Sequence, residues 1–489
     1  MRFDEIWRWK ERRPRLFEVA VSVLLGLAIE IALTVAQPPA LSIVRKTADE
    51  TADRMIRLAD RIGPRPVEAP PVVLVDIDDR SWRDWGAPVV APRDRLAEIV
   101  DKLAVSGPLA VVLDVDLSYP DAPAREARLR ESLEKYPKDG APLLLVRALQ
   151  RSPLGAKAPP EQRATVYDAA VADKPNIVFA APLFERDSDG SVRRWRLFMQ
   201  TCREGKPAVL PATQVAAAVL ARQALAKGAP VSPQAVWGDM TSRLAAFNSD
   251  NCATTRPIEH GTVAEATRLA RPIEVERTDA STRVLYRVAW KDGASALGPA
   301  VDFQGAQTPL VSVRPAALVA SPAAQAPIPG VAGRIVIVGG SFADSGDWHT
   351  TPLGKMPGAL VLANAIVAMT VNGTPTEPDF VQRAAISLAI ILCAAIAAAW
   401  LRPLIAGAVT ALFVLAILLL SLRSFQSGIV IDLAVPAVGA AVHDLIEHGL
   451  SALRELRRQG FGWFLKKTDS KHETASPTSE INTEEGHPT

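Results

Sequence analysis

Cysteine, histidine and net charge are all scarce in this chain: 3 Cys and 6 His among 489 residues, and 55 basic side chains against 53 acidic ones for a formal charge of +2. So few cysteines exclude a disulfide-built secreted scaffold. So little charge gives no field that would hold a nucleic acid. Two recognition patterns are also missing. Gly339-Gly340-Ser341 continues as Phe342-Ala343 and therefore lacks the Gly-x-Ser-x-Gly of a nucleophile elbow, and no Gly-x-x-x-x-Gly-Lys or Gly-x-Gly-x-x-Gly phosphate cradle stands there. In the middle of the chain only His260 and His349 are available as histidine bases, and neither has a catalytic context. No enzyme activity and no cofactor are expected. What the chain does have is apolar residues, 48% of the total, which excludes wholesale disorder. Mean hydropathy is +0.12 although 22% of residues are charged, so the apolar excess is concentrated in places. The 39 prolines predict many loops and rigid turns.

Windows of the roughly 20 residues needed to cross a hydrocarbon core locate that excess at the two ends. Leu16–Val35 follows a basic arm (Arg2, Arg8, Lys10, Arg12, Arg13, Arg15) and is stopped by Pro38-Pro39. It carries Glu18 and Glu30 and is followed by no clear cleavage site, which favours an uncleaved anchor over a signal peptide. Three further spans, 384–401, 404–422 and 429–445, are separated by links short enough to make them antiparallel neighbours. Basic residues flank both outer ends, with Arg454, Arg457, Arg458, Lys466 and Lys467 after the last span, so both ends are expected in the cytoplasm. The expected organisation is a cytoplasmic arm (1–15), a first span (16–36), an exported domain (37–380), three spans (381–447) and a cytoplasmic segment (448–489), in a cell inner membrane with the large domain periplasmic or extracellular. Glu30 and Asp432 are acids within spans, costly there unless functional or hydrated near the headgroups. Leu445–Leu465 reads as a short helix. Phe461, Trp463 and Phe464 beside Lys466-Lys467 suit the lipids of an anionic leaflet or an ordinary solvated basic flank.

The exported region reads as α/β. Val72–Ile77, Leu109–Leu113, Pro142–Val146, Ile177–Ala180 and Arg334–Val338 are predicted strands, with helices over Arg93–Ala104, Ala124–Lys135 and Gly358–Val371. Leu210–Ala226 is predicted to be an amphipathic helix and Val284–Trp290 a hairpin arm, while 227–280 is read as an insertion or a mobile loop layer. In an oxidising compartment the one sensible disulfide is Cys202–Cys252, the alternative being two buried thiols; Cys393 falls in a span.

Four stretches carry a resemblance: VVLVDIDDRSW (Val72–Trp82), PRDRLAEIVDKLAVSGPLAVVLDVDLSYPD (Pro92–Asp121), DSDGSVRRWRL (Asp187–Leu197) and RIVIVGGSFADSGDWHTTPLGKMPGALVLANAI (Arg334–Ile366). Together they resemble the type-two CHASE domain, the cyclase- and histidine-kinase-associated sensory extracellular domain, over about residues 40–450. The resemblance implies one anchor helix, an exported sensor and three spans ahead of a cytoplasmic output domain, and it implies a homodimer. The chain departs from the family pattern at GAPVVAP (Gly86–Pro92), where a tryptophan-proline-rich stretch is common, and at Leu362, where a histidine is frequent. It also ends without an output domain, so output is expected from a separate cytoplasmic partner.

The carboxylates at predicted strand ends are the candidate chemistry, since ligands of open α/β sheets bind at that edge. Asp76, Asp78 and Asp79 follow one strand and Asp114 and Asp116 the next, with Arg93 and Asp347 nearby in the pattern. Such hard oxygen ligands fit Ca²⁺ or Mg²⁺ or an unknown small-molecule or protein stimulus. Equally, they fit structural duty, capping the helices that follow and pairing with Arg80, Arg93 or Arg95. The functional expectation is a membrane sensor whose exported domain detects a stimulus and relays it through a four-helix bundle; the alternative is an envelope docking protein that senses nothing.

Overall fold

The protein is described from a computed structural model, which covers short stretches within 13–28 and then residues 41–63, 69–227, 233–258, 261–265, 271–275 and, apart from 325, 377 and 379, 283–431. Glu30, Asp432, the span 429–445 except its first residues, and the helix Leu445–Leu465 lie outside the described residues, as does His260. Two compact units partition the chain. One comprises residues 1–48, 381–415 and 433–489, and the other residues 49–380 and 416–432.

The larger unit is a twisted sheet between two helical layers. Its parallel strands are mostly aliphatic runs, and the inner ones are buried on both faces: β1 (Val72–Ile77), β2 (Ala110–Leu113), β3 (Leu143–Val146) and, late in the chain, the strand Ile335–Gly340, with β4 (Ile177–Ala180) at one edge. That late strand inserts between β1 and β2. On the far side of β1 lies the strand Ala306–Pro315, parallel to it and paired antiparallel with the edge strand Ala296–Phe303. The strand period of two sorts side chains between two cores. Val73, Val75, Val111, Leu113, Val336 and Val338 face the helices α1 (Arg93–Ala104) and α2 (Pro123–Lys135). Val72, Leu74, Ala110, Val112, Ile335 and Ile337 face α3 (Thr213–Lys227) and α4 (Gly358–Asn372).

Three sequence expectations change on this side of the sheet. The stretch 210–226 is not one amphipathic helix: its start closes the strand Lys206–Pro211, and α3 is buried on every side through Arg222, so no polar face exists to show a period. Residues 227–280 contain the helix Pro233–Ala245 and a hairpin of Gly261–Ala264 with Ile273–Val275. Val284–Val288 is buried but joins no sheet, its one main-chain bond to a neighbouring strand among the described residues running from Val284 N–H to Arg193 O at 2.8 Å. Asn364 of α4 takes the place of a neighbouring strand there, its Oδ1 accepting from the N–H groups of Arg287 and Val288 at 2.8 and 2.9 Å while its Nδ2 donates to Val288 O at 3.0 Å. One amide side chain thereby satisfies backbone groups that burial would otherwise leave unpaired. A disulfide joins Cys202 to Cys252.

In the smaller unit, the helix Phe380–Trp400 covers the first of the three expected C-terminal spans, and the helix Pro403–Gln426, which continues into the larger unit, covers the second. Only Ala408–Gln426 is long and apolar enough to cross a membrane among the described residues. Its Leu412, Leu415, Leu419 and Leu420 are exposed, the reverse of the order in a water-soluble helix.

Within the larger unit, residues 49–62 of the helix Leu41–Ile62 are held by charge as well as by Met55 and Ile56 in the core. The Arg193 guanidinium donates to Asp53 at 2.8 Å, Asp189 at 2.8 Å and Asp187 at 3.0 Å; Arg194 bridges Asp187 and Asp49 at 2.5 and 2.6 Å, and Arg283 also reaches Asp49. Removing one partner of such a buried pair costs about 3–5 kcal/mol, whereas an exposed pair contributes about 0–1 kcal/mol. Arg193→Ala is therefore expected to lower the thermal unfolding midpoint of the full chain sharply. Arg54→Ala, which loosens an exposed 3.8 Å contact with Glu50, should leave it nearly unchanged; equal shifts would refute the anchoring role of the network.

Candidate functional site

The strand ladders place Asp76 opposite Gly339 and continue β2 to Asp114, whose N–H donates to Val338 O at 2.8 Å. Asp76, Gly339 and Asp114 thus lie in register across three central strands, on the same face as Leu74, Ile337 and Val112. The two carboxyl-bearing positions stand two strand spacings apart, about 10 Å. Between them comes the N-terminus of α4. A Cβ at Gly339 would meet the Ala359 Cβ at 2.7 Å, and one at Gly358 would meet Asp347 Oδ2 at 2.2 Å. Helix, strand and the Asp347 carboxylate therefore converge where only glycine leaves room. Asp347 also accepts the Gly358 N–H through its main-chain O at 2.8 Å, which matters because α4 has no side-chain cap and its first N–H groups need acceptors. Carboxylates are favoured at a helix N-terminus.

The seven residues singled out from the sequence divide here. Asp114 and Asp347 come together at the start of α4, and Asp76 stands about 10 Å from Asp114 across Gly339. The other four are engaged in local structure. Asp78 caps the short helix Asp79–Asp84, accepting from Ser81 N at 2.7 Å, and Asp79 accepts from Ala343 N at 2.9 Å. Asp116 folds its own loop by accepting from Ser118 N at 2.7 Å. Arg93 is fully buried and donates to the carbonyls of Ala91, Asp116 and Tyr119 at 2.9–3.2 Å, so its charge holds the β2–α2 loop shut. Among the expected arginine partners, Arg80 contacts Asp84 and Arg95 contacts Glu98 instead. Among the described residues, no three His, Cys, Asp or Glu side chains are grouped as metal ligands.

Two further residues stand at the site, Ser341 and His349, which the sequence offers only as a nucleophile and a base without their catalytic context. Ser341 donates its hydroxyl to Asp76 Oδ2 at 2.7 Å, so that proton is already engaged. His349 lies 2.8 Å through Nε2 from Asp347 Oδ1 and 3.3 Å through Nδ1 from the Arg186 guanidinium. Because a guanidinium can only donate, Nδ1 is the acceptor and Nε2–H donates to Asp347. His349, on the hairpin Trp348–Thr351/Gly354–Pro357, thus links Arg186 of the strand Phe184–Arg186 to Asp347, which stands against Gly358 at the start of α4.

Asp76 is 4% exposed and its Oδ1 has no hydrogen-bond partner. Burial pushes this carboxyl up to about 7, against the Ser341 hydrogen bond and with help from the charges of Asp78 and Asp292. Burial likewise raises half-buried Asp114 to about 7, and Asp347 adds to it. Unfolded, such groups titrate near 3.9. The folded state therefore binds more protons between about pH 4 and 7, and stability falls as pH rises across that window. Depressed acids such as Asp189 act below it. The melting temperature of the full chain is expected to be higher at pH 5 than at pH 7.5. Asp76→Asn, which keeps an oxygen for Ser341, should reduce that slope; an unaltered slope would return Asp76 to a purely structural role.

The comparison with known families bears on the whole of this arrangement. A family model described as the CHASE2 domain matches residues 24–401. No curated protein and no solved structure matches the chain. The match runs from before β1 through the carboxyl-flanked start of α4 and on past it, and covers well over half of the sequence; the chain belongs to the CHASE2 family of sensory extracellular domains.

Proposed function

We propose that this protein is a membrane-anchored sensor. Its CHASE2 domain lies on the exported side of a cell inner membrane, registers a stimulus around the N-terminus of α4, and passes the response through its membrane helices to a separate cytoplasmic partner. The observation that carries this reading is α4 itself. Fifteen residues long and so about 22 Å from end to end, it starts at the Asp76–Asp114–Asp347 site. It ends against the close of the membrane-span candidate Ala408–Gln426. At that end Arg287 donates to Asn372 Oδ1 at 2.8 Å and to Gln426 O at 3.1 Å, and Asn372 Nδ2 donates to Gln426 O at 3.3 Å. Leu422 and Phe425 are buried in the same core as α4.

Arg222 completes the helix end, donating to the carbonyls of Met369 and Thr370 at 2.5 and 3.2 Å and to that of Arg271 at 2.7 Å. Burial lowers both guanidinium groups, Arg222 and Arg287, to about 10, still cationic at neutral pH. Cations suit a helix C-terminus. A signal crosses such a connection only if the stimulus has unequal affinity for two of its arrangements.

Pull-down of the full chain from membranes tests the proposal. Capture of a cytoplasmic partner should be lost on deleting Leu450–Thr489 and altered by Asp76→Asn. In an Arg287→Ala background, Asp76→Asn should still flatten the pH dependence of melting but no longer change capture. Capture indifferent to the deletion would end the relay to a partner through that segment. Capture that needs the segment but ignores Asp76→Asn would mark a docking protein in place of a sensor.

A further inference from the structure

A second site stands apart from the sheet edge. A cleft of about 360 Å³ opens between the helix Pro233–Ala245 and the hairpin strand Gly261–Ala264, lined by Arg243, Phe247, Arg256, Pro257 and Thr262 with Gly261 at its floor. Its walls are held from several directions. Gln200, 5% exposed, reads the backbone of the Arg256 loop twice, accepting from Arg256 N at 2.9 Å and donating to Arg256 O at 3.1 Å, and donates also to Phe247 O at 2.8 Å. The Cys202–Cys252 disulfide ties the same loop to the strand that carries Gln200. Phe247 stacks on Phe198 with centroids 4.8 Å apart, and its ring lies so close to Gly261 that a Cβ there would meet it at 2.4 Å. The cleft is therefore preformed, and of the size and mixed character of small-molecule sites.

The charge in the cleft selects the ligand. Arg243 already contacts Asp239 at 3.1 Å and Glu265 at 2.7 Å. Arg256 is exposed, and its guanidinium has no hydrogen-bond or ion-pair partner among the described residues. One guanidinium with no partner among the described residues, beside a ring and a proline, matches one carboxylate attached to an apolar body, since the planar fork of arginine pairs with a carboxylate through two parallel hydrogen bonds. A dianionic phosphate would want the second arginine as well, and Asp239 and Glu265 hold it. We infer that this cleft is a binding site for small monocarboxylates with a ring-sized apolar body, with Arg256 taking the carboxylate and Phe247 and Pro257 the body. The site requires nothing of the sheet edge or of the relay.

The test uses the full chain in lipid nanodiscs and titrates phenylacetate, with phenylacetamide as the neutral counterpart, by calorimetry. Saturable binding of phenylacetate is expected, at least about tenfold tighter than that of phenylacetamide and weakened about tenfold or more by Arg256→Gln. Arg256 is exposed, so that variant should fold. Gly261→Ala, which forces the Phe247 ring to move, should weaken both compounds. Asp76→Asn should change neither, which separates failure of this site from failure of the sensor reading. Absence of saturable phenylacetate binding, equal affinity for acid and amide, or undiminished binding by Arg256→Gln would each overturn the inference.

Discussion

A helix buried along its whole length cannot lend its end groups to water, and in this protein that constraint falls on α4. The helix is almost wholly apolar and lies against the middle of the sheet, so its free N–H and C=O groups must find protein partners. At the start the main chain of Asp347 accepts the Gly358 N–H beside its own carboxylate; at the finish buried Arg222 donates to the carbonyls of Met369 and Thr370, next to Asn372, which joins Arg287 and Gln426. These are the same residues that make one end of α4 an acidic site and the other end a junction with the close of the membrane-span candidate. Functional geometry here grows out of satisfying the ends of one helix.

The two buried carboxyls follow from the same packing. Gly339 is the register position where helix and sheet touch, and its ladder neighbours on either side are Asp76 and Asp114. Their environment favours the neutral form because burial outweighs what hydrogen bonds return. In a parallel sheet the C-terminal edge is where the ladder stops and side chains of neighbouring strands face a common opening. The late strand fills the gap between β1 and β2 and so brings its glycine between the two acids.

Much of this sheet was legible because buried parallel strands are short aliphatic runs ending in polar residues, and Val72–Ile77 and Ile335–Gly340 are of that kind. Periodicity failed where burial was complete or unusual. The first turns of α3 have no polar face to report a helical period, and Val284–Trp290 alternates like a strand yet bonds main chain to main chain with a neighbouring strand only at Val284 among the described residues and is otherwise held by Asn364. Of the site, Asp76, Asp114 and Asp347 could be read from position alone. Arg93 and Asp116 could not be assigned so, because a loop that folds back on its own carbonyls leaves no mark in spacing. The arginines of DSDGSVRRWRL have two partners, Asp187 and Asp189, within the same stretch, but their others were hidden, since Asp53 stands 140 residues from Arg193 and no local pattern spans that separation.

Asn364 sets a limit on how α4 can move. Successive helix residues are about 100° apart around the axis, so even a small turn of α4 about its own axis would swing that carboxamide away from the three backbone groups it joins. A turn would also drive Ala359 across the glycine beneath it. Displacement along the axis would instead pull Gly358 N–H from Asp347 O at one end and the carbonyls of Met369 and Thr370 from Arg222 at the other. The helix is thus pinned against rotation at its middle and against sliding at its two ends.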